Sequence, residues 1–236
     1  MKNTHLLYVI IFLSLLVIGC EPIVEQMTPT SKKMDSLETL TARLTRTPAI
    51  NAKEICSIVY DDFLLGETSV SEAERWLKSQ GIVYNVSEDR DRITWTNPEY
   101  ISISLFFHEN VLYGAELWKA SSRPLMGQIV NGLGGPEYFY AGLADNATPV
   151  GACEGKSCGV IIVLGYPSRG VQFSTLFSTN KATIVITPDI EMEMIECFEP
   201  GKRKQFEQNR YGSTLFYSQM IQWQGFGMKV PISRWK

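Results

Sequence analysis

Histidine is almost absent from this 236-residue sequence, which contains only two, His5 and His108. Zinc sites are usually built from four cysteine and histidine side chains, and a Ser–His–Asp site needs a histidine. His108 lies in the short polar stretch His108-Glu109-Asn110 between two apolar runs, which is typical of a solvated turn. The sequence therefore predicts no metal site, no cofactor and no catalytic triad.

An excess of basic residues is also lacking. The chain has 22 Lys and Arg against 25 Asp and Glu, with a formal net charge of −3. Nucleic-acid-binding proteins carry a basic patch or stripe, so we expect no nucleic-acid partner. The acidic pairs Asp61-Asp62, Glu88-Asp89 and Glu191/Glu193 lie in segments that read as solvated. No enzymatic activity is expected; an anchored hydrolase or an inhibitor-type protein with an unrecognised site is the alternative.

Long hydrophobic runs are missing except at the start. Residues 6–18 are apolar apart from Ser14, and Lys2 precedes them. This run is short of the ~20 residues that span a bilayer, and it has the length of a signal-peptide core. The run ends in Val17-Ile18-Gly19-Cys20, which resembles the lipobox of bacterial lipoproteins, with Ile18 bulkier than the usual residue there.

The lipobox resemblance implies removal of residues 1–19 and lipidation of Cys20. Two or three acyl chains hold a protein firmly at a bilayer, whereas one holds it marginally. The protein is then extracytoplasmic in the bacterial cell envelope, anchored in the inner or the outer membrane. Residues 20–50 contain Pro22, Pro29 and Pro48 among many polar residues, which indicates a flexible tether.

Four cysteines remain once Cys20 is lipidated. An even number in an exported chain favours disulfides. Cys153 and Cys158 enclose a short glycine-containing loop, which suggests one bridge, and Cys56 with Cys197 would then form the other. Half of a metal site is the alternative for the first pair, and it lacks partner ligands.

Residues 51–120 predict a first unit of helix and antiparallel strands. After a helical start at Asn51, Ser69 and Glu72 fit a capping box, and Gly81 suits the end of that second helix. The predicted strands are residues 82–86, 92–96, 100–107 and 111–118.

Residues 121–200 repeat this organisation. Ser122 is the expected helix cap, and Gly134 follows the helix at the same 53-residue shift that relates Ser69 to Ser122. The predicted strands are residues 138–141, 159–166, 171–177, 182–187 and 192–198. The fold class expected is α+β, with helix plus antiparallel sheet units, two in tandem.

The helix-then-strands pattern has a familiar form. Residues 64–68 (Leu-Leu-Gly-Glu-Thr) before a capped helix, and residues 129–136 in the second unit, resemble small bacterial lipoproteins of the outer-membrane assembly factor E type. Tandem units of similar shape occur in the β-lactamase inhibitor protein. The resemblance implies a binding module.

Residues 201–236 form an aromatic-rich C-terminal segment that we expect to pack on the body of the protein. Its basic cluster, residues 202–204, is expected to be a solvated helix start. Together these features predict a lipid-anchored binding or scaffold lipoprotein of the bacterial envelope. Its partners would be the membrane, through Cys20, and another envelope protein.

Overall fold

The structure is a computed structural model, and it describes residues 52–143, 158–211 and 220–231. All of them belong to one unit, Thr41–Lys236. The expected signal peptide, Cys20 and the tether lie outside the described residues, as do Asn51 and Cys153. The predictions on them therefore stay predictions.

The described residues form short helices and a large antiparallel sheet. The helices are α1 (Ala52–Ile55), α2 (Ser57–Tyr60), α3 (Val70–Ser79), α4 (Met126–Leu133) and α5 (Arg203–Tyr211). The strands are β1 (Tyr84–Val86), β2 (Arg92–Trp95), β3 (Tyr100–His108), β4 (Val111–Lys119), β5 (Tyr138–Leu143), β6 (Cys158–Tyr166), β7 (Val171–Thr179), β8 (Thr183–Val185), β9 (Met194–Phe198) and β10 (Lys229–Pro231). Each predicted strand is present with shifted ends, and β10 was not predicted.

Eight strands make one sheet in the order β1-β2-β3-β4-β9-β7-β6-β5, and β8 pairs with β10 in a separate two-stranded sheet. Every neighbouring pair is antiparallel. The expected α+β class with antiparallel strands is confirmed.

The main core lies on one face of the large sheet, called here the first face. Alternate residues of each strand point to it, because side chains of a strand alternate between the two faces. Helices α1 to α4 contribute their buried apolar residues to this core. Sheet residues in it include Ile93, Ile103, Leu105, Leu117, Phe173 and Ile195. The opposite face, the second face, is therefore built from the intervening residues.

The local signals of the first unit are confirmed. The Ser69 hydroxyl accepts from the Glu72 amide at 3.3 Å, and the Glu72 carboxylate accepts from the Ser69 amide at 2.8 Å. Gly81 has a φ of 68° directly after the C-cap of α3. Its N–H donates to Lys78, and the N–H of Ile82 donates to Leu77, which is a Schellman ending.

The predicted cap of α4, the helix expected in residues 121–200, is wrong. Helix α4 begins at Met126, and Ser122 has a left-handed φ of 52° outside it. The first amides of α4 donate to a loop that is distant in sequence. Met126 donates to the Ile190 carbonyl and Gly127 to the Pro188 carbonyl, both at 2.8 Å. Because tertiary contacts satisfy these donors, the helix does not need a capping hydroxyl.

A disulfide joins Cys56 to Cys197, as predicted, across 141 residues of sequence. Cys56 lies between α1 and α2, and Cys197 lies in the central strand β9. Both are fully buried. The bond therefore ties the first helical turns to the middle of the sheet.

Helices long and apolar enough to cross a bilayer do not occur within residues 52–143, 158–211 and 220–231.

Candidate functional site

The second face of the large sheet carries a continuous line of polar positions. Strand pairing places one residue of each strand side by side across all eight strands. These eight positions, called here the polar row, are Asn85, Thr94, Ser104, Glu116, Glu196, Gln172, Gly165 and Tyr138. Six of the eight carry polar side chains, and the row ends in Gly165 and Tyr138. The polar side chains need either water or a polar cover.

Helix α5 covers the part of the polar row that lies on β9 and β7. Four residues at helical spacing face the sheet: Arg203, Phe206, Glu207 and Arg210. Arg203 and Glu207 are 2% and 0% exposed. The basic cluster of residues 202–204 was expected to be solvated, but its central residue, Arg203, is buried.

Aromatic contacts fix the middle of α5 on the sheet. The Phe206 ring stacks on Phe198 with centroids 5.1 Å apart and contacts Tyr113 at 5.9 Å. Gly114 makes room for it, because a Cβ at this position would lie 2.3 Å from Phe206. The absence of a side chain on β4 thus allows the helix to approach the sheet closely.

Hydrogen bonds connect the covered part of the polar row. The Tyr138 hydroxyl donates to the Gln172 side-chain oxygen, and the Gln172 amide donates to the Glu196 carboxylate. The Arg203 guanidinium lies 3.4 Å from the centroid of the Tyr138 ring and donates to Gln172 at 3.4 Å. It also forms an ion pair with Glu207.

Two buried carboxylates, those of Glu196 and Glu207, therefore lie near one guanidinium. Burial raises the pKa of Glu207 to about 7, the Arg203 charge opposes this rise in pKa and the Glu196 charge adds to it. A carboxyl group with this pKa titrates near neutral pH.

Glu116 marks the end of the covered part. Its carboxylate accepts from Trp118 at 2.7 Å and from Arg210 at 3.2 Å. Arg210 also lies 4.2 Å from the centroid of the Phe106 ring. The last turn of α5 thus ends over β4, at the centre of the sheet.

On β1 to β3 the second face is open at Asn85 and Thr94 of the polar row and at the nearby Ser102. Asn85 is exposed, Thr94 and Ser102 are half-buried, and Ser104 hydrogen-bonds Thr94 at 3.2 Å. A groove of about 440 Å³ follows these strands and ends at Glu116. A second groove of about 270 Å³ adjoins it at Ser87 and Arg92 and reaches the end of α5. We call the surface formed by Asn85, Thr94 and Ser102 the open half-face; Ser104 beside it is buried.

His108 does not belong to a catalytic arrangement among the described residues. It is exposed at the end of β3, directly before the two-residue turn to β4. A pocket of about 350 Å³ beside it is lined by His108, Glu109, Glu199 and Lys202, and its described lining contains no serine, threonine or cysteine.

The other candidates from the sequence are dispersed. Asp61 and Asp62 are exposed, as are Glu88 and Asp89. Glu191 and Glu193 both contact Arg123, at 3.8 Å in the case of Glu191. Within the described part of the chain no three histidine, cysteine or acidic residues form a group that could hold a metal ion.

The polar row was not predicted from the sequence. Its members are single polar residues inside apolar strands, and only strand pairing places them together. The buried stripe of α5 was also missed, because a search for apolar periodicity does not detect Arg, Glu and Arg at helical spacing. The Arg203/Glu207 spacing of four was the signal that could have indicated it.

The chain matches no protein family, no curated protein sequence and no solved structure among those with which it was compared.

Proposed function

We propose that this protein is a lipid-anchored, extracytoplasmic binding protein of the bacterial envelope, and that its open half-face contacts another envelope protein. The observation that carries the proposal is the division of the second face. Helix α5 covers the part of the polar row on β9 and β7, while Asn85, Thr94 and Ser102 remain accessible on β1 to β3.

The chemistry of the open half-face suits a protein surface. Its side chains are an amide and hydroxyls, Glu116 at its border is bound by Trp118 and Arg210, and exposed Arg92 lines both adjoining grooves. Uncharged polar groups on a rigid sheet supply hydrogen bonds without the desolvation cost of free charges. Grooves of about 440 and 270 Å³ side by side give an elongated contact area.

The expected lipid anchor and the disulfide both support an extracytoplasmic location. The lipobox-like sequence around Cys20 follows a short apolar run. The Cys56–Cys197 disulfide is the type of bond that persists in oxidising compartments outside the cytosol. Cys20 would hold the protein at the membrane, and residues 20–50 would set its distance from the lipid.

The proposal includes two tandem units. Outward from the centre, the sheet reads β4-β3-β2-β1 on one side and β9-β7-β6-β5 on the other. Helix α3 precedes the first group of strands in the chain and α4 precedes the second. Two such units, joined through the antiparallel β4–β9 pair, would share the core that one unit alone could not bury.

Site-specific photocrosslinking in intact cells tests the function. A photoreactive phenylalanine analogue replaces Thr94 in the full chain, and in a matched control it replaces Lys78, an exposed residue of α3. We expect a discrete protein adduct from position 94 and none from position 78. The position-94 adduct should be lost when Cys20→Ala releases the protein from the membrane.

Adducts of equal yield and pattern at both positions, or none at position 94, would contradict the proposed surface. Hydrolysis of a substrate panel by the purified full chain, with no adduct at position 94, would favour the enzyme alternative instead.

A further inference from the structure

Strand β7 has an open edge over half of its length. It pairs with β6 along all of Val171–Thr179, but with β9 only along residues 171–174. At that point the chain before β9 turns away, since Met192 donates to the Pro124 carbonyl and residue 191 bridges to residue 125. Residues 175–179 therefore have a neighbouring strand on one side only, within the described residues.

The free backbone groups on this edge can be assigned. The Ser174 carbonyl accepts from Glu193 at 3.0 Å and so points toward β9. Backbone groups of a strand alternate between its two neighbours, which directs those of Leu176 and Ser178 to the same side. Both residues are exposed, Leu176 by 52%. Two N–H and two C=O groups are thus available to a new strand.

A groove lies along this edge. It has a volume of about 470 Å³, and its other wall is formed by β8 and by the segment before β9. Its apolar lining includes Leu176, Phe177, Ile184, Val185 and Ile190. Val185 is 49% exposed. Alternate apolar side chains of an extended segment would cover these surfaces.

The two ends of the groove carry different charges. Arg123, Glu191 and Glu193 lie where β9 joins β7, and the Glu191 side chain is 60% exposed. Lys181 lies at the other end, two residues beyond Thr179, and is exposed. An occupant with an acidic side chain at one end and a basic side chain at the other would complement both.

We infer that this groove binds an extended peptide segment of another protein, which adds a strand to the free edge of β7. Main-chain hydrogen bonds to Leu176 and Ser178 would supply affinity, and alternating apolar side chains with a charge at each end would supply selectivity. The surface is separate from the open half-face, so the inference does not depend on the function proposed for that face.

Fluorescence anisotropy with the purified full-length lipoprotein in detergent tests the inference. The probe is a labelled heptapeptide in which valine alternates with threonine between a terminal glutamate and a terminal lysine. Two further peptides carry N-methyl groups on one or the other set of alternate residues, which removes the donors on one edge of the strand. We expect saturable binding of the parent, a loss of about tenfold or more for one methylated peptide, and near-parent affinity for the other.

Protein variants locate the site. Leu176→Asp and Ser178→Pro should each weaken parent binding by about tenfold, because the first places a charge in the groove and the second removes an edge donor where proline is tolerated. Ile101→Asp is the matched control, since Ile101 is 57% exposed on β3 outside the groove. Lys181→Glu should weaken binding, because it replaces the cation that faces the terminal glutamate of the peptide.

Equal affinity for all three peptides, no saturable binding at about 1 mM, or an equal effect of Ile101→Asp and Leu176→Asp would each overturn the inference. The methylated peptides test the unaltered protein, so a variant that fails to fold does not leave the question open.

Discussion

At the scale of single residues, Gly165 allows the cover on the second face to form. It is the only position of the polar row without a side chain, and a Cβ there would lie 1.6 Å from the Tyr138 ring. The Tyr138 ring lies over this glycine, and the Arg203 guanidinium lies 3.4 Å from the centroid of that ring. The glycine thus positions an aromatic platform that binds a buried cation.

Glu207 is the residue whose protonation we expect to affect stability. It is fully buried, and the charged groups that face it are Arg203 on its own helix and Glu196 on β9. Burial raises its pKa from 4.5 to about 7. Between these values the folded protein binds more protons than the unfolded chain, so stability falls as the pH rises and levels off above about 7.

Glu207→Gln keeps the side-chain shape and removes the titration. We expect the free energy of unfolding of the wild type to fall by up to about 3 kcal/mol from pH 5 to pH 8 relative to this variant. Urea denaturation of the full chain at several pH values measures the difference. Glu109→Gln, in the exposed turn between β3 and β4, is the control and should follow the wild type.

A wild type and a Glu207→Gln variant with parallel pH profiles would show that Glu207 does not titrate in this range. A wild type that becomes more stable relative to Glu207→Gln as the pH rises would have the wrong sign for a buried carboxyl with a raised pKa.

At the scale of elements, α5 shows how a mostly polar helix finds a place on a sheet. Its sheet-facing stripe contains one apolar residue, Phe206, between charged residues. Those charges meet complementary groups of the polar row: Arg203 meets Gln172, and Arg210 meets Glu116. The helix is therefore held on the sheet by complementary polar contacts around a single aromatic contact. Such a helix lacks the apolar stripe of an ordinary amphipathic helix.

The Cys56–Cys197 disulfide is the covalent link between elements that are distant in sequence. It closes a loop of 141 residues between the α1–α2 turn and β9. In the chain-entropy account, a loop of this length restricts the unfolded state by about 4–5 kcal/mol, and measured values are commonly 2–4 kcal/mol. Most of this effect should be lost when the bond is absent.

We therefore expect the Cys56→Ala/Cys197→Ala double variant to lose about 2–5 kcal/mol in free energy of unfolding. Chemical denaturation of the full chain without reductant measures the loss. The Cys56→Ser/Cys197→Ser variant, which removes the same bond and keeps Cys153 and Cys158, serves as the comparison and should unfold near the same denaturant concentration. A double variant as stable as the oxidised wild type would disprove the stabilising role of this bond.

At the scale of the whole molecule, the proposed location depends on one residue near the start. Cys20 follows Gly19 directly after the apolar run. Loss of the thiol removes the group proposed to accept the lipid, and among the described residues no helix is long and apolar enough to cross a bilayer.

Cell fractionation tests this location. We expect Cys20→Ala protein to shift from the membrane fraction to the soluble extracytoplasmic fraction, or to remain uncleaved, and to lose metabolic labelling with radioactive palmitate. Cys56→Ala is the control for loss of a different cysteine and should stay lipid-labelled. Palmitate labelling of the Cys20→Ala protein would contradict lipidation at this residue.

Much of the fold follows from patterns within ten or so residues. The capping box of Ser69 and Glu72 and the glycine after α3 are confirmed because these interactions join neighbours in the chain. The turn at residues 109–110 is likewise local: both residues have positive φ, as a two-residue hairpin requires. The strands were predicted because β-branched and aromatic residues favour a pleated, buried surface.

The errors and omissions share one physical cause. Ser122 was predicted to cap α4, but carbonyls of Pro188 and Ile190 bind the first amides of that helix. Arg203 was predicted to be solvated, but Tyr138 and Gln172 provide a buried site for it. In each case the partner lies more than 30 residues away in the chain, where a local pattern contains no information about it.

The sequence alone therefore specified the local elements, the antiparallel α+β class and the Cys56–Cys197 bond, because these depend on neighbouring residues or on a small number of possible pairings. The order of the strands, the alignment of one residue from each of eight strands into the polar row and the free edge of β7 arose only in the folded molecule. They depend on which strands pair and in which register, and that choice is made by burial of the whole first face at once.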